Sequence, residues 1–262
     1  MLHHIKRAKD HYVKYRALIH ELVIRDLKVK YRRSFLGYLW SLLNPLLMML
    51  VMNLVFSHVF RSGVENFPLY LICGQTLFSF FTESTSMAMN SIIWNASLLK
   101  KIYIPKFIFP VSRVMSSFVT MSFSLFAIVI VMIFTRAQFS WTILLFFIPI
   151  LFLFLFCSGV GMMLSALAVY FRDITHLWGI VTLAWMYITP IFYSVEILPP
   201  EIINIIQFNP MYHYLVFFRS LVMYGTLPGP EVWMGCILSA VVAFVLGLVV
   251  FARLQRQFIL HI

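Results

Sequence analysis

The stretch Asp26-Leu-Lys-Val-Lys-Tyr-Arg-Arg-Ser-Phe-Leu-Gly-Tyr-Leu-Trp-Ser-Leu-Leu-Asn-Pro45 passes from dense charge to none. After Arg33 no Asp, Glu, Lys or Arg occurs until Arg61. At about 1.5 Å of rise per residue, that interval is long enough for a helix to cross the roughly 30 Å hydrocarbon core of a bilayer. Charge stays with water and headgroups on one side of Ser34, and an apolar segment enters lipid on the other.

The rest of the chain repeats the pattern. Of its 262 residues, 62% are hydrophobic, 17% aromatic and only 11% charged, where soluble domains carry about 25% charged residues. Charge-free windows run from Phe35 to Phe60, Phe67 to Thr82, Val114 to Thr135, Ala137 to Phe171, Ile174 to Val195 and Val232 to Ala252. These predict an all-α integral membrane protein with six transmembrane helices, assigned to 35–60, 67–90, 107–135, 140–171, 174–195 and 231–252 of a membrane domain covering 35–252. Residues 1–34 precede it, 91–106 form an inner loop, 196–230 an outer segment and 253–262 a tail.

Lys and Arg set the orientation, because basic flanks are retained on the cytoplasmic side during insertion. With the N-terminus inside, six crossings return the C-terminus inside. Ten basic residues precede the first crossing, and Lys100, Lys101, Lys106, Arg113, Arg172, Arg253 and Arg256 fall on later inner segments. Only Arg61, Arg136 and Arg219 fall outside, so the 20 basic residues divide 17 to 3. The predicted location is a cytoplasmic (inner) membrane, multi-pass, with both termini in the cytoplasm.

The net charge of +11 needs no nucleic acid, since anionic headgroups attract juxtamembrane basic residues at about 1 kcal/mol each. No cleavable signal is expected in the polar first 34 residues. Cys73, Cys157 and Cys236 each fall inside an apolar crossing. An odd number spread over helices argues against a disulfide framework or metal cluster, and reads as buried spacers.

Drawn as a helix, the N-terminal segment puts Lys14, Glu21, Arg25, Lys28 and Arg32 on one face and Ile19, Val23, Leu27 and Tyr31 on another. Lys30 falls on the apolar side, and Leu22 and Val29 near the polar one. This predicts an amphipathic interfacial helix with a second surface against protein; the alternative is a plain topology signal with snorkelling basic side chains. Pro45, Pro149 and Pro190 fall within crossings, where each removes a backbone hydrogen bond and bends or breaks its helix. The outer segment is too apolar for a free loop. Pro199-Pro200, Asn209-Pro210 and Pro228-Gly-Pro230 cut it into pieces of roughly 201–208 and 211–224, each too short to span about 30 Å. A re-entrant helical hairpin is the expectation.

Few residues near membrane depth could carry chemistry. Glu83 and the boundary Arg113 are the charges there, and an ionisable residue at that depth is a functional candidate by default. A pump normally needs a relay of several, so Glu83 reads as holding a helix end or pairing with a basic residue near the inner face. Aromatics gather in the first crossing (Tyr38, Trp40) and the fifth (Trp178, Trp185, Tyr187, Phe192, Tyr193). Such rings anchor helices at the interface or line a path along which sugars slide, and composition favours anchoring. No G-x-x-x-x-G-K-[ST] phosphate loop exists and no Gly is followed by Lys. Active transport by this chain would therefore need another polypeptide to handle ATP, docked on the inner surfaces.

The stretch from Tyr31 to Pro45 resembles the start of the first membrane helix in the permease subunits of ABC exporters for polysaccharides and polyol phosphates, the type-2 ABC permeases. Four further pieces agree in order: Asn95-Ala-Ser-Leu-Leu-Lys-Lys-Ile-Tyr-Ile-Pro-Lys-Phe-Ile-Phe-Pro110, Phe171-Arg-Asp-Ile174, Thr189-Pro-Ile-Phe-Tyr193, and Leu198-Pro-Pro200 with Asn209-Pro-Met-Tyr212. The resemblance covers nearly the whole chain from about Glu21 onward.

It implies a homodimer paired with two copies of a soluble ABC ATPase subunit, which would bind ATP and Mg, so that no cofactor is expected in this chain and it is no enzyme itself. The implied cargo is a lipid-linked glycan carried through a channel enclosed by the two bundles. ATPase coupling maps onto Glu21, Arg25, Asn95, Leu98, Leu99, Lys100 and Lys101. The lipid phosphate maps onto Arg32 and Arg33 beside Gly37. Tyr38, Trp40, Trp185, Tyr187, Phe192 and Tyr193 resemble channel-lining aromatics, and Asn209, Pro210, Tyr212 and His213 resemble an outer gate. The first choice of cargo is the O-antigen of lipopolysaccharide; teichoic acid, capsule or another cell-wall glycan is the alternative. A second alternative, a polytopic enzyme of glycan assembly, predicts clustered His, Asp or Glu, whereas Glu65, Glu196, Glu201 and Glu231 are dispersed and His213 stands alone. An ABC exporter of a drug or simple lipid fits the composition, but not the motif pieces.

Overall fold

A computed structural model describes residues 2–32, 34, 36–56, 65–101 and 104–258, with side chains from Tyr15 onward except Tyr31. Arg33, Arg61, the ends of the first expected crossing (35 and 57–60) and the last four residues of the tail lie outside the described residues.

Among the described residues the fold is helical, without strands. In order come α1 (Leu2–Tyr31), α2 (Leu39–Phe56), α3 (Phe67–Met89), the short α4 (Ser91–Trp94) and α5 (Ala96–Lys101), α6 (Ile108–Phe134), a 3₁₀ turn (Trp141–Leu145), α7 (Phe147–Tyr170), α8 (Ile174–Ile188), α9 (Pro200–Ile206), α10 (Pro210–Val222) and α11 (Pro230–Leu254). Among the described residues, four segments are long and apolar enough to cross a membrane: Leu39–Phe56, Ile108–Phe134, Trp141–Tyr170 and Pro230–Gln257. The other two expected crossings are α3, which has the length but carries many hydroxyl and amide side chains, and α8, which is apolar but only 15 residues long.

α3 is the hub, packed against α2, α6, α7, α8 and α10. It buries Leu69, Leu71, Ile72, Cys73, Leu77 and Phe81 almost completely. α7 and α11 make the closest helix pair. A Cβ on Gly247 would lie 2.1 Å from Gly159 O, and one on Gly159 would lie 2.3 Å from Ala243 O. With little hydrophobic drive between helices in lipid, backbone approach through small residues is what holds such a pair. All three cysteines are free and fully buried, as spacers.

The prolines behave in three ways. Pro45 lies inside α2 and leaves the carbonyl of Ser41 without its helical donor; Ser124 Oγ on α6 donates to it at 3.0 Å. Pro149 does not bend a crossing as expected. It falls in the first turn of α7, where a helix needs no N–H. Pro190 stops α8 outright: Thr189 is already extended at φ −82°, ψ 132°, as the residue before proline prefers. The fifth crossing was expected to reach 195, so Phe192 and Tyr193 fall beyond the helix.

The outer segment folds as the two helices α9 and α10, close to their expected bounds. α9 exposes most of its side chains, whereas α10 buries Met211, Tyr214, Leu215, Phe217, Phe218 and Leu221 against α3, α7 and α11. Asn209 starts α10 by accepting from Met211 N–H at 3.0 Å, a cap that satisfies one of the free amides of a helix start.

α1 packs on α6, at the end of the bundle where Arg25 meets Asn95. Its packed face runs through Tyr15, Leu18, Ile19, Leu22 and Val23 to Asp26. Leu22, expected near the polar side, is thus part of the core, and that face ends on a carboxylate. Leu22 joins Ile92, Leu99, Ile108, Phe109 and Phe258 in a second core at the same end.

Candidate functional site

The two segments predicted to couple to an ATPase converge at one end of the bundle. Arg25 Nη1 on α1 donates to Asn95 Oδ1, between α4 and α5, at 3.3 Å. Asn95 also donates to Ser91 O at 2.7 Å, and its carbonyl receives Leu98 and Leu99 N–H at 3.0 Å each, so it builds the turn into α5. Asn95 and Leu99 are buried and hold the segment; Glu21, Lys100 and Lys101 are exposed on it and Leu98 is half-buried. Lys106 ties the same loop to the C-terminal end, donating to Gln255 O over the ring of Phe258. Partial burial pushes its ammonium pKa down.

Beneath Arg25 sits a carboxylate that the helical-face analysis passed over. Asp26 is 6% exposed; its Oδ1 lies 2.8 Å from Arg113 Nη1 on α6 and 3.2 Å from Arg25 Nη2, and Oδ2 accepts from Ser116 Oγ at 3.2 Å. The Arg113 guanidinium also stands 5.6 Å over the Trp94 ring. One buried acid therefore joins α1, the loop before α5 and the third crossing. A charge buried this far is stable only with such partners. The clue in the sequence was its spacing, four and three residues after Leu22 and Val23.

Glu83 has the basic partner expected of it. Lys30 Nζ of α1 lies 2.6 Å from Glu83 Oε1. Gly37 takes φ +47°, a left-handed turn that only glycine adopts cheaply, and its N–H donates to Ser34 Oγ at 3.2 Å as the chain turns into α2. Arg32 is exposed at this corner.

The six expected channel aromatics separate into two groups. Tyr38, Trp40 and Tyr187 are exposed. Trp185 is packed edge-on against Phe81 at 5.0 Å, and its Nε1–H donates to Asn209 Oδ1 at 2.7 Å. Phe192 stacks on Phe56 at 5.7 Å, and Tyr193 bonds back to the carbonyls of Tyr187 and Ile188, 3.0 Å each. The outer-gate residues are similarly committed. Asn209 Nδ2 donates to Thr189 Oγ1 at 2.9 Å, Pro210 begins α10, Tyr212 is half-buried, and His213 Nε2 is 2.8 Å from Gln207 O with its ring against Gly235.

A buried arginine was missed as well. Arg219, assigned to an outer segment from its place in sequence, is 4% exposed beneath that segment. It donates to Pro190 O at 2.8 Å, Tyr70 O at 3.0 Å and Ile191 O at 3.3 Å, and lies 3.3 Å over the Tyr70 ring. The Tyr70 hydroxyl donates to Tyr193 O at 2.7 Å. Pro190, Ile191 and Tyr193 lie just past the end of α8, where their carbonyls have no helical donor; Pro190 O also accepts from the Tyr70 hydroxyl at 3.1 Å.

Finally, α3 turns Gln75, Ser79, Glu83 and Ser86 toward an open side. Part of this stripe lines a pocket of about 460 Å³ between α2, α3 and α6.

The ABC-2 type transporter family matches residues 17–223 of this chain. An O-antigen export system permease protein RfbA of Klebsiella pneumoniae is 30% identical over 239 residues, covering 89% of this chain and 90% of that protein. The RfbA of Myxococcus xanthus is 30% identical over 247 residues, 93% and 95% of the two chains. The capsule polysaccharide export inner-membrane protein CtrC of Neisseria meningitidis serogroup A is 24% identical over 246 residues, 91% of each. A family match that takes in every element from the middle of α1 to the end of α10 leaves one assignment: the chain belongs to the ABC-2 type transporter family.

Proposed function

We propose that this chain is the membrane-spanning subunit of an ATP-driven exporter that moves a lipid-linked polysaccharide, O-antigen in the first place, out across the cytoplasmic membrane. The observation that carries the reading is the likeness to O-antigen export permeases over 89% or more of the chain. Capsule export is the second reading, favoured by the similarity to CtrC; teichoic acid or another wall glycan would use the same machinery.

In this reading the bundle crosses the membrane six times, with α3 and α8 joining the four long apolar segments. Both termini lie in the cytoplasm, α1 lies in the headgroup layer and α9–α10 form a re-entrant hairpin on the outer side. Two copies enclose the channel, and two soluble ATPase subunits, which bind ATP and Mg, dock on Glu21, Arg25 and the α5 surface with Lys100 and Lys101. Arg32, with Arg33 and the Gly37 corner, meets the lipid phosphate, and the exposed rings of Tyr38, Trp40 and Tyr187 face the glycan. Asn209 and His213 belong to the outer closure as fixed parts of its frame.

Removing the gene from its host tests the reading: surface glycan should vanish and lipid-linked glycan accumulate at the inner face. Unchanged surface glycan would refute it. Reversing charge at Lys100 and Lys101 should weaken ATPase association, and unchanged co-purification would remove that docking surface.

A further inference from the structure

The pocket between α2, α3 and α6 has a lining that lipid cannot satisfy. Asn44 on α2 and Gln75, Thr76 and Ser79 on α3 face it. Ser79 stands near the middle of the 23-residue α3, and Asn44 next to Pro45 within the apolar α2. Thr76 Oγ1 is buried without a hydrogen-bond partner. Other hydroxyls of the lining are already used: Thr120 bonds to Ser116 O and Ser124 to Ser41 O. In hydrocarbon each unpaired polar group costs several kcal/mol, so a cluster of them at one concavity indicates water or a hydroxylated ligand.

The chemistry of the lining narrows the ligand. Its charged members, Lys30 and Glu83, are held to each other at 2.6 Å, leaving the remainder neutral. Among the described residues of the lining a phosphate would find no uncommitted cation. Amides and hydroxyls both donate and accept, which matches the hydroxyls of a sugar, and Trp40, 39% exposed, offers a ring at the rim. At about 460 Å³ the pocket falls within the usual range for ligand sites, about 300–1,000 Å³.

Building on the export function proposed above, we propose that this pocket is a subsite for uncharged sugar units of the exported chain, held by Asn44, Gln75, Thr76 and Ser79. The phosphate-bearing anchor stays outside it, on the basic face of α1. The second crossing then supplies the hydrogen-bonding wall of the path, opposite in character to the aromatic residues of the first and fifth.

Cysteine accessibility tests this in the intact transporter. The native cysteines are all fully buried, so Ser79→Cys and Gln75→Cys can be followed with a small charged thiol reagent. Labelling is compared between cells whose glycan is stalled by a hydrolysis-deficient partner ATPase and cells unable to start the glycan. Both cysteines should react in glycan-free cells and react about tenfold more slowly with stalled glycan, as about 90% occupancy requires. Leu151→Cys, on the exposed apolar side of α7, should stay unreactive, and Glu201→Cys, exposed on α9, should react in both strains. Equal labelling with and without glycan overturns the subsite, even where gene removal has established export. No labelling in either strain also overturns it, since a second copy or lipid then fills the pocket.

Discussion

Two buried charges hold opposite ends of this molecule by opposite means. At one end Asp26 is met by Arg113 of α6 at 2.8 Å and its neighbour Arg25 at 3.2 Å, and those arginines reach on to Trp94 and Asn95 ahead of α5. At the other end Arg219 meets no acid among the described residues; three backbone carbonyls and the face of Tyr70 surround it. Ion pairs between separate helices can exchange partners when one helix moves. Backbone carbonyls around a guanidinium are held in place by the chain they belong to. The Asp26 cluster therefore has the build of a joint and the Arg219 cluster that of a fixed frame, the division that the proposed function calls for.

The comparison is broken most directly by Arg219→Met. It removes three hydrogen bonds donated by a buried guanidinium, each worth about 1.5–3 kcal/mol, and should cost the most stability of the changes considered; thermal unfolding of the purified chain measures this, and Arg219→Lys should recover only part. Asp26→Asn comes next. It leaves Arg113 without its acid, a loss of about 3–5 kcal/mol for a broken buried pair. If the cluster transmits motion, Asp26→Asn in assembled transporter should also lower export per ATP hydrolysed, and adding Arg113→Gln should restore stability more than coupling. Equal recovery of both would reduce Asp26 to a structural role. Ser124→Ala removes the hydroxyl that donates to Ser41 O in place of the N–H missing at Pro45 and should cost about 1 kcal/mol. Smallest is Lys30→Gln: the Lys30–Glu83 pair is more than a third exposed at its lysine end, and exposed pairs contribute about 0–1 kcal/mol.

Much of the fold was legible because lipid punishes charge so heavily. The charge-free windows found the long helices, and Pro199-Pro200 with Asn209-Pro210 found α9 and α10 within a few residues. The same criterion was blind to Gln75, Thr76 and Ser79, which carry no charge and so left no mark on a window that nonetheless holds the polar stripe of α3. Arg219 was hidden by topology: an arginine in an outer segment reads as solvent-facing until that segment is seen folded into the bundle. Asp26 was hidden by the expectation that a packed face is apolar. Trp185 carries a second role that composition does not reveal. Besides its expected place among the channel aromatics, its bond to Asn209 and its packing on Phe81 make it a brace, so Trp185→Ala should disturb assembly as well as transport.

The account's central claim is that ATP hydrolysed by another chain drives export through this one. Tagged protein should be drawn gently from its own host's membranes, its companions identified and ATP hydrolysis assayed. A soluble ABC ATPase recovered in equal amount with this chain, hydrolysing ATP, is the predicted result. Recovery of the intact chain with no ATPase would contradict it.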